Sequence, residues 1–512
     1  MLVQNFGGFT PSLPGIDIRF PSPEHLAHFE IAWSRQARPP LPDDHPDRLG
    51  LICVGTVVEH ELRHFHDFLL NRDMLLTSWL RRRMSLNALP AIIWLMKSEA
   101  FDVIPYPVID WAKLPERARA GRRAELSPIL PEKRRRFWNP RMLPARITAP
   151  KSAIVDPPRT EAEAEEMIRT GLKAVRGDLA TIAPLRYGLD NTPLGQGRFT
   201  PRFAYELSAL NAQFHSVIKT YGFDEGREFL SMLADQGTTY SRLFIEAMEL
   251  FTGARRSDAA RLEPIHLPRL SAVATWIMTG CAEDGTKGGP ATRLATLMDQ
   301  TRAAWDSVFP DGLSPAALMD HWDEQTGAVP FRQSLERTQK ELENHLAAAR
   351  ILFGAFAKEA AHQLEAVSTY DAVLSCRRAL IDAVIADPLT YVDPGLWMEN
   401  LGNWPQCPVH MKFSAGRFGL PRAHFANYPD DTRYNLSSAV PPEHADSHVG
   451  DAYLRSFFPS LHDIPSAPVI KHQQINLLFE LLVEPESVRP IDAMALRDFA
   501  ETNWGKTLVQ LL

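Results

Sequence analysis

The chain has 512 residues, with 55 Lys and Arg against 62 Asp and Glu for a net charge of −7. It is 45% apolar and 23% charged, which excludes a mostly disordered chain, a collagen-like repeat and a coiled-coil rod. The mild acidity argues against a general nucleic-acid binder, because neutralising phosphates takes concentrated positive charge. Such a length corresponds to about three domains. Proline, at 41 residues, is enriched to about 8% against a usual level of about 5%, so many elements punctuated by proline-rich connections are expected.

Residues 1–50 are rich in proline and aromatics and read as an irregular or short-strand lead-in. The opening MLVQNFGGFTPSLPG lacks the basic and apolar regions of a signal peptide, and no apolar run approaches the roughly 20 residues of a membrane helix. Cys53, Cys281, Cys376 and Cys407 are far apart with no CxxC pair, so neither a disulfide scaffold nor a four-cysteine zinc site is indicated. A reducing, cytoplasmic setting is expected.

The stretch 51–72, LICVGTVVEHELRHFHDFLLNR, reads as one helix, and a second helix-rich stretch follows over 74–98, interrupted by Pro90. Residues 113–159 change character. Twelve Lys or Arg fall between Lys113 and Lys151 against three Glu, amid prolines, which reads as an exposed basic segment. Thr160 and Glu163 form a capping box for a helix over about 161–176. Thr200 and Pro201 open another, which Gly222 ends. Further helices are expected near 225–235, 239–252, 270–280, 291–306, 331–366 and 369–386. Strand signals are few and no fixed-period repeat is present, so the expected class is mainly α, with room for a small β-sheet.

The sharpest chemical signal is His60-Glu61-Leu62-Arg63-His64. Residues at i and i+4 share a helix face, so two imidazoles one turn apart can hold one zinc ion. Glu61 lies about 100° round the helix and can reach a water activated by the ion, as general base for attack on a carbonyl. With 17 His in the chain, chance HExxH is expected on the order of 0.04 times. Leu51, Val54, Val58, Leu62, Phe65 and Leu69 share one apolar stripe, while His60 and His64 lie off it, facing a cleft. His66 points away from the pair. Asp67 lies on the ligand face but is too far along the helix axis to share the ion with both histidines. It reads either as a carboxylate orienting His64 or as a helix-surface Asp.

This helix resembles that of the zincin metallopeptidases, with His60 and His64 matching the family's zinc-binding histidines and Glu61 its catalytic glutamate. The longer metzincin pattern HExxHxxGxxH is absent, since Asp67 and Leu70 stand at its Gly and His positions. The gluzincin type is therefore the closer one. That resemblance implies zinc-dependent peptide-bond hydrolysis, a protein or peptide substrate, and a third ligand supplied by a Glu on a later helix. Glu206, in Glu206-Leu207-Ser208-Ala209, borders the apolar stripe Phe203, Leu210, Phe214, Val217 and Tyr221, where a half-buried carboxylate needs a partner. It is the preferred ligand, with Glu99 and Glu246 as alternatives. Tyr205, His215 and Tyr240 are candidates to stabilise a tetrahedral intermediate, and nothing in the sequence chooses among them.

Cys407 to His410 and His444 to His448 have metal-like spacings without a matching half. The run GTKGG at 285–289 lacks the phosphate-loop pattern and reads as a loop. The expected organisation is a lead-in at 1–50, a zincin-like catalytic region at 51–325 with the basic insertion at 113–159, and a helical C-terminal region at 326–512. The competing readings are a helical interaction protein with an accidental HExxH, or a nucleic-acid-associated protein that uses the basic segment.

Overall fold

The computed structural model describes residues 7–10, 15–34, 39–76, 78–80, 103–107, 192–194, 197–199, 201–235, 239–253, 266–280, 289–354, 361–401, 403–404, 411–414, 424–426, 481–482, 490–504 and 507–510, with isolated positions near 110–118. The fold is mainly α. In chain order the helices are α1 (Pro23–Ser34), α2 (Arg48–Gly55), α3 (Val57–Leu70), α4 (Pro201–Thr220), α5 (Phe223–Asp235), α6 (Thr239–Thr252), α7 (Leu267–Met278), α8 (Pro290–Ala303), α9 (Trp305–Val308), α10 (Pro315–Thr326), α11 (Phe331–Gly354), α12 (Ala361–Ala386), α13 (Leu389–Val392), α14 (Pro394–Glu399) and α15 (Pro490–Trp504). The strands are β1 (Gly7–Thr10), β2 (Gly15–Arg19), β3 (Val103–Tyr106), β4 (Thr192–Leu194), β5 (Gly197–Phe199), β6 (Met411–Ser414), β7 (His424–Ala426) and β8 (Thr507–Gln510).

The chain divides into two compact units. The first comprises Met1–Trp79, Ile182–Ala348 and Ser368–Ala445; the second comprises Leu80–Thr181, Ala349–Val367 and Asp446–Leu512. Residues 326–512 contribute to both units. Side chains late in the chain help to close the first unit. Arg72 makes a two-pronged ion pair with Glu341, at 2.7 and 2.5 Å. Asp323 accepts from the Trp276 indole at 2.8 Å and from the Phe331 amide at 2.7 Å. Tyr391 donates to Asp67 at 2.7 Å.

In the first unit, α3 packs along α4, and α4 also packs against α5, α6 and α7. Leu62, Phe65, Phe68 and Leu69 of α3 are fully buried, each worth roughly 1.5–3 kcal/mol of removed apolar surface. A small sheet of order β1-β2-β6-β7 belongs to the same unit, with β2 parallel to β6 and the outer pairs antiparallel. The lead-in is therefore more regular than expected: it supplies two strands and α1. β4 and β5 form a separate antiparallel pair just before α4. In the second unit, β3 pairs in parallel with β8, and the Arg497 guanidinium of α15 lies 5.6 Å from the centre of the buried Tyr106 ring.

The helix expected over 51–72 is two helices, broken at Gly55 and Thr56. A Cβ on Gly55 would stand 1.9 Å from the Tyr221 hydroxyl, so only glycine lets the chain pass that close. Thr56 is pulled out of helical ψ, at φ −125° and ψ 9°, and its hydroxyl donates back to Ile52 O at 3.0 Å. The helix starting at Pro201 ends as the sequence suggests, at Gly222 with φ +123°. The helices expected over 331–366 and 369–386 are described as α11 over Phe331–Gly354 and α12 over Ala361–Ala386, with 355–360 outside the described residues. Most of 74–98, the basic segment at 113–159 and the capped helix over 161–176 lie outside the described residues.

Candidate metal centre

Three side chains converge between α3 and α4. His60 and His64, one turn apart on α3, bring their Nε2 atoms to 3.0 Å, with ring planes at 84°. Glu206 Oε2 of α4 lies 3.6 Å from the first and 3.7 Å from the second. A point equidistant from the three atoms lies about 2.0 Å from each, within the zinc–nitrogen and zinc–oxygen range of about 2.0–2.2 Å. The donor set therefore fits one small divalent cation. Among the described residues this is the one group of at least three His, Cys, Asp or Glu with such spacing.

Helix α3 is more buried than its sequence pattern implies. Every residue from Val57 to Leu70 is buried except His60 and His64. Their side chains are 13% and 12% exposed and that of Glu206 is 18%, so the cluster opens to solvent where the rest of α3 does not. Burial alone would lower the pKa of His60. Donation to the Glu206 carboxylate, the charges of Glu61 and Glu206, and neighbouring Gln213 outweigh it, so the His60 pKa is raised above the ordinary 6.5. The site is electronegative and favours a positive charge at His60.

Glu61 is buried beside this cluster, and strand β1 backs onto it. A Cβ on Gly7 would meet Glu61 Oε1 at 2.5 Å and Glu61 Cγ at 2.8 Å. The carboxylate is therefore held by main chain on one side, and Gly7 is the residue that permits the approach.

The other sequence candidates separate cleanly. Glu246 is exposed on α6 and pairs with Arg302 at 2.5 Å, outside the cluster. Glu99 lies outside the described residues, as do the Tyr240 side chain, Cys407, His410, His444 and His448. Tyr205 is buried with its hydroxyl unbonded and its pKa pushed well up by burial and by the charges of Asp67 and Asp73. His215 neighbours Gly395 and Asp393, and burial lowers its pKa. His66 points away from the pair as expected, accepting from the Trp397 indole at 3.1 Å.

Asp67 is the main departure. It is completely buried, not on the surface, and it belongs to a second polar cluster. Arg63 donates to Ser208 Oγ at 2.8 Å and to Tyr391 O at 2.9 Å, and its guanidinium lies 4.0 Å from the centre of the Tyr391 ring. Asp67 accepts from the Tyr391 hydroxyl and lies 3.4 Å from Arg63 Nε. Burial raises the Asp67 pKa against the pull of Arg63, Ser208 and Tyr391. Sequence reasoning missed Arg63, Gln213 and Gly7. A charged residue inside HExxH, close to an apolar stripe, was the available signal for the first. Gln213, seven residues after Glu206 and so on the same helix face, was visible only once Glu206 was chosen.

Comparisons of the chain with protein-family models, with curated proteins and with solved structures find no match. No helix among the described residues is long and apolar enough to cross a membrane.

Proposed function

We propose that the protein is a zinc-dependent peptide hydrolase of the zincin type, with His60, His64 and Glu206 as the metal ligands and Glu61 as general base. The observation that carries this reading is the convergence of the three donors around one point, although Glu206 follows His64 by 142 residues. Chance placement of an HExxH gives no reason for a carboxylate from another helix to meet both imidazoles.

A zinc ion held there supplies Lewis acidity, which polarises a carbonyl and acidifies water. The two imidazoles, neutral at Nε2, and the Glu206 carboxylate supply the donor atoms and one negative charge. Glu61, fixed against Gly7, takes a proton from the attacking water and later delivers it to the leaving amine. The partial exposure of the histidines gives a peptide access to the site. Cys53 and Cys376 are free thiols, which supports a reducing, cytoplasmic setting.

Metal analysis of the purified protein tests the first half of the reading, with one zinc per chain expected. Absence of zinc would favour the helical interaction protein with an accidental HExxH. Glu61→Gln tests the second half. It should retain zinc while hydrolysis of a fluorogenic peptide library falls by about 10²–10⁴. Undiminished hydrolysis in that variant would remove Glu61 from its role.

A further inference from the structure

We infer that Gln213 is a positioning residue for the metal centre, fixing His60 in the tautomer whose Nε2 lone pair faces His64 and Glu206. The inference rests on the zinc reading above and concerns a residue outside the ligand set. When a histidine binds a metal through Nε2, its Nδ1 must carry the proton and needs an acceptor. His60 Nδ1 is buried and makes no hydrogen bond of standard geometry within the chain. The polar side chain beside it is Gln213, which is anchored to Thr56 one turn before His60.

The helices place Gln213 there. The two helices run antiparallel: Thr56, just before α3, meets Gln213 late in α4, while His60, Arg63 and His64 further on meet Glu206 and Ser208 early in α4. Thr56 lies one turn before His60, and Gln213 lies two turns after Glu206. His60 Nε2 is the nitrogen that faces Glu206, which leaves Nδ1 as the one that Gln213 can serve.

The direction of the hydrogen bonds then determines which end of the Gln213 amide faces His60. Thr56 spends its only hydroxyl proton on Ile52 O, at 3.0 Å. Toward Gln213 it can only accept. Gln213 Nε2 donates to Thr56 Oγ1 at 3.3 Å and to Cys53 O at 3.4 Å, two acceptors that both demand the NH₂ end. That orientation leaves the amide oxygen as the acceptor for His60 Nδ1–H. A one-way relay results, from His60 Nδ1–H to Gln213, from Gln213 to Thr56, and from Thr56 to Ile52 O. The break between α2 and α3 has a use in this arrangement, because Thr56 sits at that break.

The test is zinc affinity of the full chain, measured by competition with a chromophoric chelator, with folding checked by urea denaturation of each apo protein. Gln213→Met removes the acceptor while keeping shape, and should weaken zinc binding about 10–100-fold. Gln213→Glu restores an acceptor and should return affinity to within a few-fold of the original. Thr56→Val removes the group that orients the amide and should give a smaller loss in the same direction; it carries the test if Gln213→Met does not fold. Unchanged affinity in Gln213→Met or, where that variant does not fold, in Thr56→Val, or equal losses in the Met and Glu variants, would overturn the inference and leave the ligand set standing. A parent protein that binds no zinc would overturn the site reading and this inference together.

Discussion

Helix α3 carries two neighbouring polar clusters toward α4, and they differ in where the positive charge comes from. In one the cation is part of the chain. Arg63 lies between Asp67, Ser208 and the carbonyl and ring of Tyr391, entirely buried. In the other the groups that meet are two imidazoles and the Glu206 carboxylate, with the Glu61 charge beside them and partial access to solvent. Both clusters join the same pair of helices. The first pairs its cation with a carboxylate of the chain and so fixes how α3 lies on α4. The second gathers donors whose geometry suits an added ion. The first cluster serves the fold; on the zinc reading, the open one serves chemistry.

That contrast is broken most forcefully at Arg63. Arg63→Met leaves Asp67 without its cation and removes the donor from Ser208 Oγ and Tyr391 O. Removing one partner of a buried pair costs about 3–5 kcal/mol, and denaturant unfolding should show a loss of that size. The double variant Arg63→Met with Asp67→Asn should recover part of it, since no uncompensated charge then remains. A loss below about 1 kcal/mol for Arg63→Met would mean that this cluster does not hold the helices together.

Gly7→Ala probes the junction between fold and chemistry. The added Cβ would stand 2.5 Å from Glu61 Oε1 and 2.7 Å from Val57 Cγ2, so either β1 or the Glu61 side chain must shift. Crowding of this kind costs typically about 1–3 kcal/mol. On the zinc reading, peptide hydrolysis should fall by at least about tenfold while zinc content holds, because the ligands lie apart from the clash. Equal loss of zinc and activity would show that β1 supports the ligands as well as the base.

What the sequence disclosed, and what it hid, follows from the range of each interaction. The His60, Glu61 and His64 relation lies within one helical turn, so spacing alone exposed it. Glu206 was reachable because a carboxylate beside an apolar stripe is a local anomaly, even though its partners are distant. The mainly α class followed from capping and periodicity over single helices. Asp67 was misjudged because Tyr391, 324 residues away, supplies its hydrogen bond. Gly55 gave no local warning that Tyr221 would cross it, so the break between α2 and α3 was invisible. The regular strands of the lead-in were equally hidden, since β2 depends on pairing with β6 nearly 400 residues later.

The smallest effect on folding, and the sharpest on the proposed site, is expected from Glu206→Gln. The side chain keeps its shape and is only partly buried, so the apo protein should change by no more than about 0.5 kcal/mol. A neutral amide cannot supply the charge that balances a divalent ion, so zinc binding should be largely lost. Zinc at about 1,000 times its Kd should stabilise the parent by about 4 kcal/mol against unfolding, and the variant by much less. Two urea titrations of each protein, with a chelator and with excess zinc, separate these terms. If zinc stabilises both proteins equally, Glu206 is not a ligand and the third donor must come from elsewhere in the chain. If zinc stabilises neither, the open cluster holds its histidines and carboxylate for a purpose other than this metal.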